Sequence, residues 1–498
     1  MTIQNLHNLI HQLTPQEQTL VRYALKGINE DGENKYRQLF DFVARGEKNL
    51  SRHAASMTIY KVSPDTRINK LISRLWEKVL DIVTSDNFLR KNSKLNKRSL
   101  LRINARKKML QYVTLGISTG TSDVSRVLIE QGIRNAEESE YYLLLIELYR
   151  HKKNMVVYSG GNKEYNFCEK QIKWYKGCLL MEENLLNYYN EITKEVGYGA
   201  MDSPGEKIKY LEKILGELKK DKKYMVSVYS KFIFCLIQLD YLFQKEDYAG
   251  ARKLLQTFLR KFGHAHLDFA THITARMEAE LSNCELLTGN YDKGIMHSEK
   301  ALKMLWANKK LNYYIELEKL FIFVFLNGDF ARAEKIIAEL QTGLQLRLNN
   351  FRIAKPSYYG ACIHFKKEEY KSALKIINSP LPLNNEKTGY NVTIRILRIQ
   401  CLLELARFDE AAVQIENLRK HVNRNSKKTY TSERYKLITQ TLVLMQKRGF
   451  AGKAGKVESE LIAKLSLSSG KYKWLPITPE LIRFHEWYAE NQTRKLKN

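Results

Sequence analysis

Thr288-Gly-Asn-Tyr291-Asp-Lys-Gly294 is one of five related stretches that decide the fold of this chain. The other four are Gln244-Lys-Glu-Asp-Tyr248-Ala-Gly-Ala251, Asn327-Gly-Asp-Phe330-Ala-Arg-Ala333, Lys366-Lys-Glu-Glu-Tyr370-Lys-Ser-Ala373 and Ala406-Arg-Phe408-Asp-Glu-Ala411. Each has a polar turn, an aromatic residue and, three positions after the aromatic, a small residue. The aromatic residues are 43, 39, 40 and 38 residues apart. A period of this size predicts an architecture of stacked structural repeats.

The spacing within each stretch predicts helices on both sides of the turn. An aromatic residue and a small residue three positions apart lie on one helix face, and the small residue lets a neighbouring helix approach closely. An apolar run such as 225–243 precedes each turn, and an amphipathic run such as 251–262 follows it. A single helix-turn-helix repeat cannot bury its apolar face alone, so the sequence predicts an all-α solenoid.

The stretch Thr288-Gly-Asn-Tyr291-Asp-Lys-Gly294-Ile-Met-His-Ser298-Glu-Lys-Ala301-Leu302 resembles the second-helix half of a tetratricopeptide repeat. The sequence departs from that family in two ways, because its period exceeds 34 residues and the Trp and Leu-Gly signature of the first helix is absent. The resemblance covers residues 223–420. It implies a right-handed α-solenoid that binds other macromolecules along a groove, and it implies no catalytic chemistry.

The sequence predicts four parts. They are an N-terminal helical unit (1–84), a basic linker helix with irregular helical repeats (85–222), the repeat array (223–420), and a basic stretch with C-terminal capping helices (421–498). In the last part we expect four large apolar residues to cover the exposed end of the array, because solenoids need caps. These residues are Trp474, Leu481, Phe484 and Trp487.

Helix signals are clearest in the N-terminal unit. Thr14 is a good N-cap, Pro15 suits the first helical position, and Glu17 lies near the positive helix end. Three helices are predicted here, over residues 15–26, 33–45 and from about residue 65 to residue 82. A helix-turn-helix that contacts DNA is an alternative to a plain helical bundle.

Charge is the main anomaly of composition. The 498 residues carry a net charge of +28, with nine basic and no acidic residues over 87–122. The stretch 419–456 contains eleven basic residues and a single acidic one, Glu433. Such stretches attract polyanions or acidic protein surfaces. In the first stretch five cations recur at steps of three or four positions and predict a ridge on one helix face, namely Lys91, Lys94, Arg98, Arg102 and Arg106.

No motif predicts chemistry. We expect no catalytic, cofactor or metal site, and we interpret the run from His264 through His266 to Asp268 as a turn between repeats. The six cysteines form no Cys-x-x-Cys pair and predict buried thiols in a reduced, cytoplasmic chain. No apolar run is long enough to span a bilayer. We expect a non-enzymatic scaffold for a protein partner, with nucleic-acid binding through the basic stretches as the alternative and the oligomeric state left open.

Overall fold

The computed structural model describes residues 2–26, 35–46, 50–62, 66–85, 88, 97–119, 123–157, 161–197, 204–263, 270–306, 311–344, 350–379, 389–425, 432–450, 453–470 and 472–497. These residues form 23 α-helices and no strand. The protein is therefore all-α, as the sequence predicts. It divides into two compact units, of which the first is Met1–Leu180 and the second comprises Met181–His266 and Ala270–Asn498. The predicted division into four parts is finer than this and stays a prediction.

The first unit begins with a small helical bundle. Its helices are α1 (Ile3–Gln12), α2 (Pro15–Lys26), α3 (Lys35–Arg45), α4 (Arg52–Tyr60) and α5 (Arg67–Thr84). The predicted start at Thr14 is confirmed, because the amide of Glu17 donates to Thr14 Oγ1 (3.3 Å) and the amide of Thr14 donates to the Glu17 carboxylate (2.7 Å). Sequence reasoning missed α1 and α4, since helices of 10 and 9 residues carry few periodic apolar positions.

Longer helices complete the first unit. They are α6 (Lys97–Thr119), α7 (Asp123–Glu138) and α8 (Tyr142–Val156), followed by α9 (Gly161–Gly197), in which the boundary between the units falls. Helices α6, α7 and α8 pack against one another in sequence order.

The second unit is a series of helical hairpins that follows α10 (Pro204–Lys220). The first helices of the hairpins are α11 (Val228–Gln244), α13 (Ala270–Leu287), α15 (Leu311–Leu326), α17 (Asn350–Lys366), α19 (Tyr390–Glu404) and α21 (Ser432–Lys447). The second helices are α12 (Tyr248–Phe262), α14 (Tyr291–Leu305), α16 (Phe330–Leu344), α18 (Tyr370–Asn378), α20 (Phe408–Asn425) and α22 (Lys456–Leu465). Each helix packs against the next one in the chain, and α23 (Phe484–Lys497) ends the unit.

The turns of the first five hairpins share one geometry. One residue in each turn adopts a left-handed conformation, with φ between 56° and 81°, at Glu246, Gly289, Gly328, Glu368 and Ala406. The amide that follows it donates to the carbonyl five residues earlier at 2.9–3.1 Å, which is the Schellman arrangement that closes a helix. The next residue is the repeated aromatic, and it begins the second helix.

The small residue of each stretch is buried, as the spacing predicts. Ala251, Ala333, Ala373 and Ala411 have no exposed surface. Gly294 is the tightest of the five, because a Cβ atom placed on it would lie 2.0 Å from Cε1 of Phe323. The first helix of the following hairpin therefore lies directly against this glycine.

Gly294→Ala is expected to destabilise the protein by about 1–3 kcal/mol, because the added methyl overlaps the Phe323 ring. The matched control is Gly216→Ala in α10, where a Cβ atom would meet nothing within 4 Å. Alanine is the better helix former by about 1 kcal/mol, so the control should be neutral or stabilising. Urea unfolding of both variants checks this, and two shifts of the same sign would mean that the helix contact at Gly294 is wrong.

The six cysteines are all buried and free, in agreement with the prediction from their apolar surroundings. Burial raises the pKa of Cys235, Cys284 and Cys401 to about 12, so these thiols stay protonated and unreactive near neutral pH. Among the described helices, none is long and apolar enough to cross a membrane.

Candidate functional site

The C-terminal segment (residues 472–497) is anchored in the hairpin array by a buried ion pair. The guanidinium of Arg434 on α21 donates to both carboxylate oxygens of Glu480, at 2.6 and 2.8 Å. The two side chains are only 5% and 3% exposed. Arg434 also donates to the carbonyls of Leu465 (2.9 Å) and Tyr472 (2.6 Å). Arg434 belongs to the second basic stretch, but Glu480 neutralises its charge inside the protein. This arginine therefore does not add to the basic surface.

The same segment reaches hairpins that lie far earlier in the chain. Lys473 forms an ion pair with Glu246 in the first hairpin turn, and Arg483 donates to the Tyr291 hydroxyl at 2.8 Å. In a straight stack, five hairpins at about 10 Å each would separate Glu246 from Arg434 by roughly 50 Å. Consecutive residues of the C-terminal segment contact both of them, so the array of the second unit curves around this segment.

First helices α17 and α19 supply further contacts to the C-terminal segment. The hydroxyl of Tyr358 on α17, 1% exposed, donates to the carbonyl of Pro479 at 2.7 Å. The indole of Trp487 donates to Glu404 at the end of α19, also at 2.7 Å. Leu481, Phe484 and Trp487 join the apolar core of the hairpins, and Trp474 is half-buried. The first helices therefore already hold one polypeptide segment, the protein's own, which is partly helical because it includes α23.

A second group of polar residues lies on α11 and α13, and we call Asp240, Arg276 and Glu280 the acidic cluster. Arg276 donates to Glu280 at 2.6 Å, with the arginine 52% exposed and the glutamate 7% exposed. Burial, and next the charge of Glu280, raise the pKa of Asp240 to about 7, and Arg276 opposes this rise. Burial likewise raises the pKa of Tyr189 on α9, which lies within electrostatic range of all three.

Polar pairs continue along the neighbouring first helices. Glu316 on α15 accepts hydrogen bonds from Lys319 (2.8 Å) and from Ser298 (2.5 Å). Glu318 accepts one from Lys355 of α17 at 2.9 Å. These carboxylates have partners within the protein. Asp240 differs from them, because it accepts no hydrogen bond from any residue in the described part of the chain.

The raised pKa of Asp240 predicts a pH-dependent stability. Because its folded-state pKa lies above the unfolded value of about 4, the folded protein holds an extra proton between these values and loses stability as pH rises from 4 to 7. Asp240→Asn removes this loss. Allowing for solvent screening, we expect the variant to gain about 2 kcal/mol relative to wild type between pH 5 and pH 8. Urea unfolding at both pH values checks this, and a difference that does not change with pH would contradict it.

The basic ridge predicted from the sequence is only partly within the described residues. Lys91 and Lys94 lie outside them. Arg98, Arg102 and Arg106 lie on α6, and all three face the turn that follows α7. The predicted spacing therefore places these three arginines on a common helix face.

The turn after α7 engages these arginines within the protein. Arg98 Nε donates to the carbonyl of Ser139 at 2.8 Å, close to the negative end of α7. The guanidiniums of Arg102 and Arg106 lie 4.9 and 5.1 Å from the centre of the Tyr141 ring. The three arginines thus hold α6 against the α7–α8 hairpin, and binding of a polyanion by this ridge stays a prediction.

The described residues contain no group of three or more His, Cys, Asp or Glu side chains that could hold a metal ion. His264, His266 and Asp268 lie outside these residues. Sequence reasoning missed the acidic cluster because Asp240 and Glu280 are separated by a whole hairpin. The sequence signal for Asp240 is one carboxylate in the largely apolar helix α11, and Glu280 has no such signal because α13 contains several charged residues.

Comparisons with known proteins give a distant likeness. No protein-family model matches the sequence, and no curated protein matches it. Among solved structures, the chain is similar to a signal transduction ATPase with numerous domains that carries a tetratricopeptide repeat sensor, from Pyrococcus horikoshii, with 14% identity and a TM-score of 0.37. The match covers 83% of this chain and 65% of that one, so this chain spans less than two thirds of its length. This chain's own helices and turns show a tetratricopeptide-like helical-repeat solenoid.

Proposed function

We propose that this protein is a non-enzymatic scaffold whose first helices bind a segment of a protein partner. The contacts of the C-terminal segment support this, because first helices α17, α19 and α21 all take part in holding it. The buried, unpaired cysteines fit a reducing compartment such as the cytoplasm.

The acidic cluster carries the proposal for how a partner is recognised. Asp240 and Glu280 are carboxylates on adjacent first helices, close enough for Glu280 to raise the pKa of Asp240. Arg276 forms an ion pair with Glu280. Asp240, in contrast, accepts no hydrogen bond from a described residue. A lysine or arginine of a partner would pair with Asp240 and lower the cost of an enclosed carboxylate whose charge Arg276 compensates only in part. We therefore propose that the partner segment places a basic residue at this cluster.

Selection of random peptides against the full chain tests the proposal. We expect enriched peptides to contain lysine or arginine, and we expect Asp240→Asn with Glu280→Gln to weaken their binding at least tenfold. The matched control is Glu416→Gln on the second helix α20, since Glu416 is an exposed carboxylate that pairs with Arg419 at 2.7 Å. Equal binding by all three proteins, or enrichment of acidic peptides, would overturn the assignment.

Nucleic-acid binding is the second candidate function, supported by the concentration of positive charge over 87–122 and 419–456. Binding to labelled duplex DNA at two salt concentrations tests it, with log K expected to fall by about 0.9 per neutralised phosphate for each unit of log salt. Lys91→Glu with Lys94→Glu is the suitable variant, because changing Arg98 would also break its contact with the α7–α8 turn. A slope unchanged in the variant would exclude these two lysines from the interface.

A further inference from the structure

Arg395 and Arg398 interrupt a buried stretch of α19. From Val392 to Leu403, ten of the twelve residues are buried, and the two arginines are the half-buried exceptions. The preceding second helix, α18, has 9 residues, whereas α12, α14 and α16 have 15 each.

Each guanidinium donates one hydrogen bond to a neutral group, and its other donors have no partner among the residues that the structure describes. Arg395 Nε donates to the side-chain oxygen of Asn391 at 3.1 Å, and Arg398 Nη2 donates to the carbonyl of Ile377 at 3.0 Å. The Nε atom of Arg398 is buried and has no hydrogen-bond partner in the described part of the chain. The two side chains are therefore oriented, yet part of their hydrogen-bonding capacity is unused.

Other enclosed arginines of this unit have a carboxylate partner. Arg252 pairs with Glu285 at 2.6 Å, and Arg448 pairs with Glu458 at 3.0 Å. Within the described residues, no carboxylate lies within ion-pair distance of Arg395 or Arg398. Two half-buried positive charges with no counter-charge among the described residues would be costly to the folded state. The arrangement is explained if an anion from solution occupies the site.

Electrostatic effects on nearby groups agree with uncompensated positive charge. Burial lowers the pKa of Arg395 and of Arg398, and the charge of Arg395 lowers that of Arg398 further. Burial, followed by the charge of Arg395, also lowers the pKa of His421 on α20. His421 therefore reports on the electrostatic potential beside the arginines.

We propose that Arg395 and Arg398 form a binding site for a phosphate-type oxyanion beside α18, α19 and α20. Two guanidiniums one helical turn apart match a doubly charged tetrahedral anion, because the Nη1 and Nη2 atoms of Arg395 and the Nη1 atom of Arg398 are not engaged by described residues and can donate to its oxygens. The ligand class is inorganic phosphate or the phosphate group of a small monoester.

Thermal unfolding at constant ionic strength tests the site with 10 mM inorganic phosphate, O-phosphoserine or acetate as probe. Wild type should show a higher Tm with phosphate, since a ligand that binds the folded state stabilises it, and acetate should give no shift. Arg395→Met with Arg398→Met should lose the shift. Arg407→Met, which removes an exposed arginine that pairs with Glu410, should keep it. A shift with phosphate alone assigns the free ion, and a shift with both phosphate compounds assigns a monoester group.

Two results would overturn the proposal: equal Tm shifts in wild type and the double variant, or an acetate shift as large as that of phosphate. NMR titration of His421 in wild type gives a readout that needs no folded variant. Bound phosphate should raise the pKa of His421 by compensating Arg395, whereas an unchanged pKa at saturating phosphate would contradict the site.

Discussion

Glu480→Gln is expected to destabilise the second unit by about 3–5 kcal/mol, because it leaves the buried guanidinium of Arg434 without its counter-charge. The carboxylate has a further role, since it accepts a hydrogen bond from the amide of Phe484 at 3.0 Å at the start of α23. Glutamine keeps the size of the side chain, so the effect reports the charge. Urea unfolding followed by tryptophan fluorescence measures it.

Two further variants complete the test of this ion pair. One is a control at an exposed pair, and the other removes both charges at once. Glu433→Gln breaks an exposed pair with Lys436 on the same helix α21 and should cost less than about 1 kcal/mol. Arg434→Met combined with Glu480→Leu removes both charges and should recover part of the loss, because uncharged residues of similar size often replace buried pairs without penalty. Equal costs for Glu480→Gln and Glu433→Gln would show that Arg434 is not buried as described.

Trp487→Ala is expected to cost about 3–5 kcal/mol, the usual loss for a large aromatic removed from a core. Trp487 is 2% exposed and packs in the hairpin core, where its indole donates to Glu404. Trp306→Ala is the matched control, because Trp306 is 58% exposed and should cost about 1 kcal/mol or less. Thermal or urea unfolding of both variants measures the difference. Equal losses would mean that the C-terminal segment does not pack into the array.

The hairpins could be predicted from sequence because their determinants are local. The aromatic residues at the turns, such as Tyr248 and Tyr291, begin the second helices where the repeated pattern places them. The glycines and left-handed residues before them close the first helices through contacts only five residues apart. A local rule repeated at nearly constant spacing is visible in one sequence.

The candidate site could not be predicted because its contacts are not local. Arg483 and Tyr291 are 192 residues apart, and no spacing rule joins them. The basic ridge illustrates the same limit. Periodicity places Arg98 and Arg102 on one face of α6, but it cannot say that this face meets the turn after α7. Charge counted along the sequence therefore overstates the charge available to a partner.

Hydrogen exchange of the full chain, with and without a basic peptide from the selection, tests most directly the claim that the first helices form the binding surface. We predict slower amide exchange in α11 and α13, around Asp240 and Glu280, with Asp240→Asn plus Glu280→Gln abolishing the effect. Protection confined to the second helices, such as α12 and α14, or protection that persists in the double variant, would contradict the account.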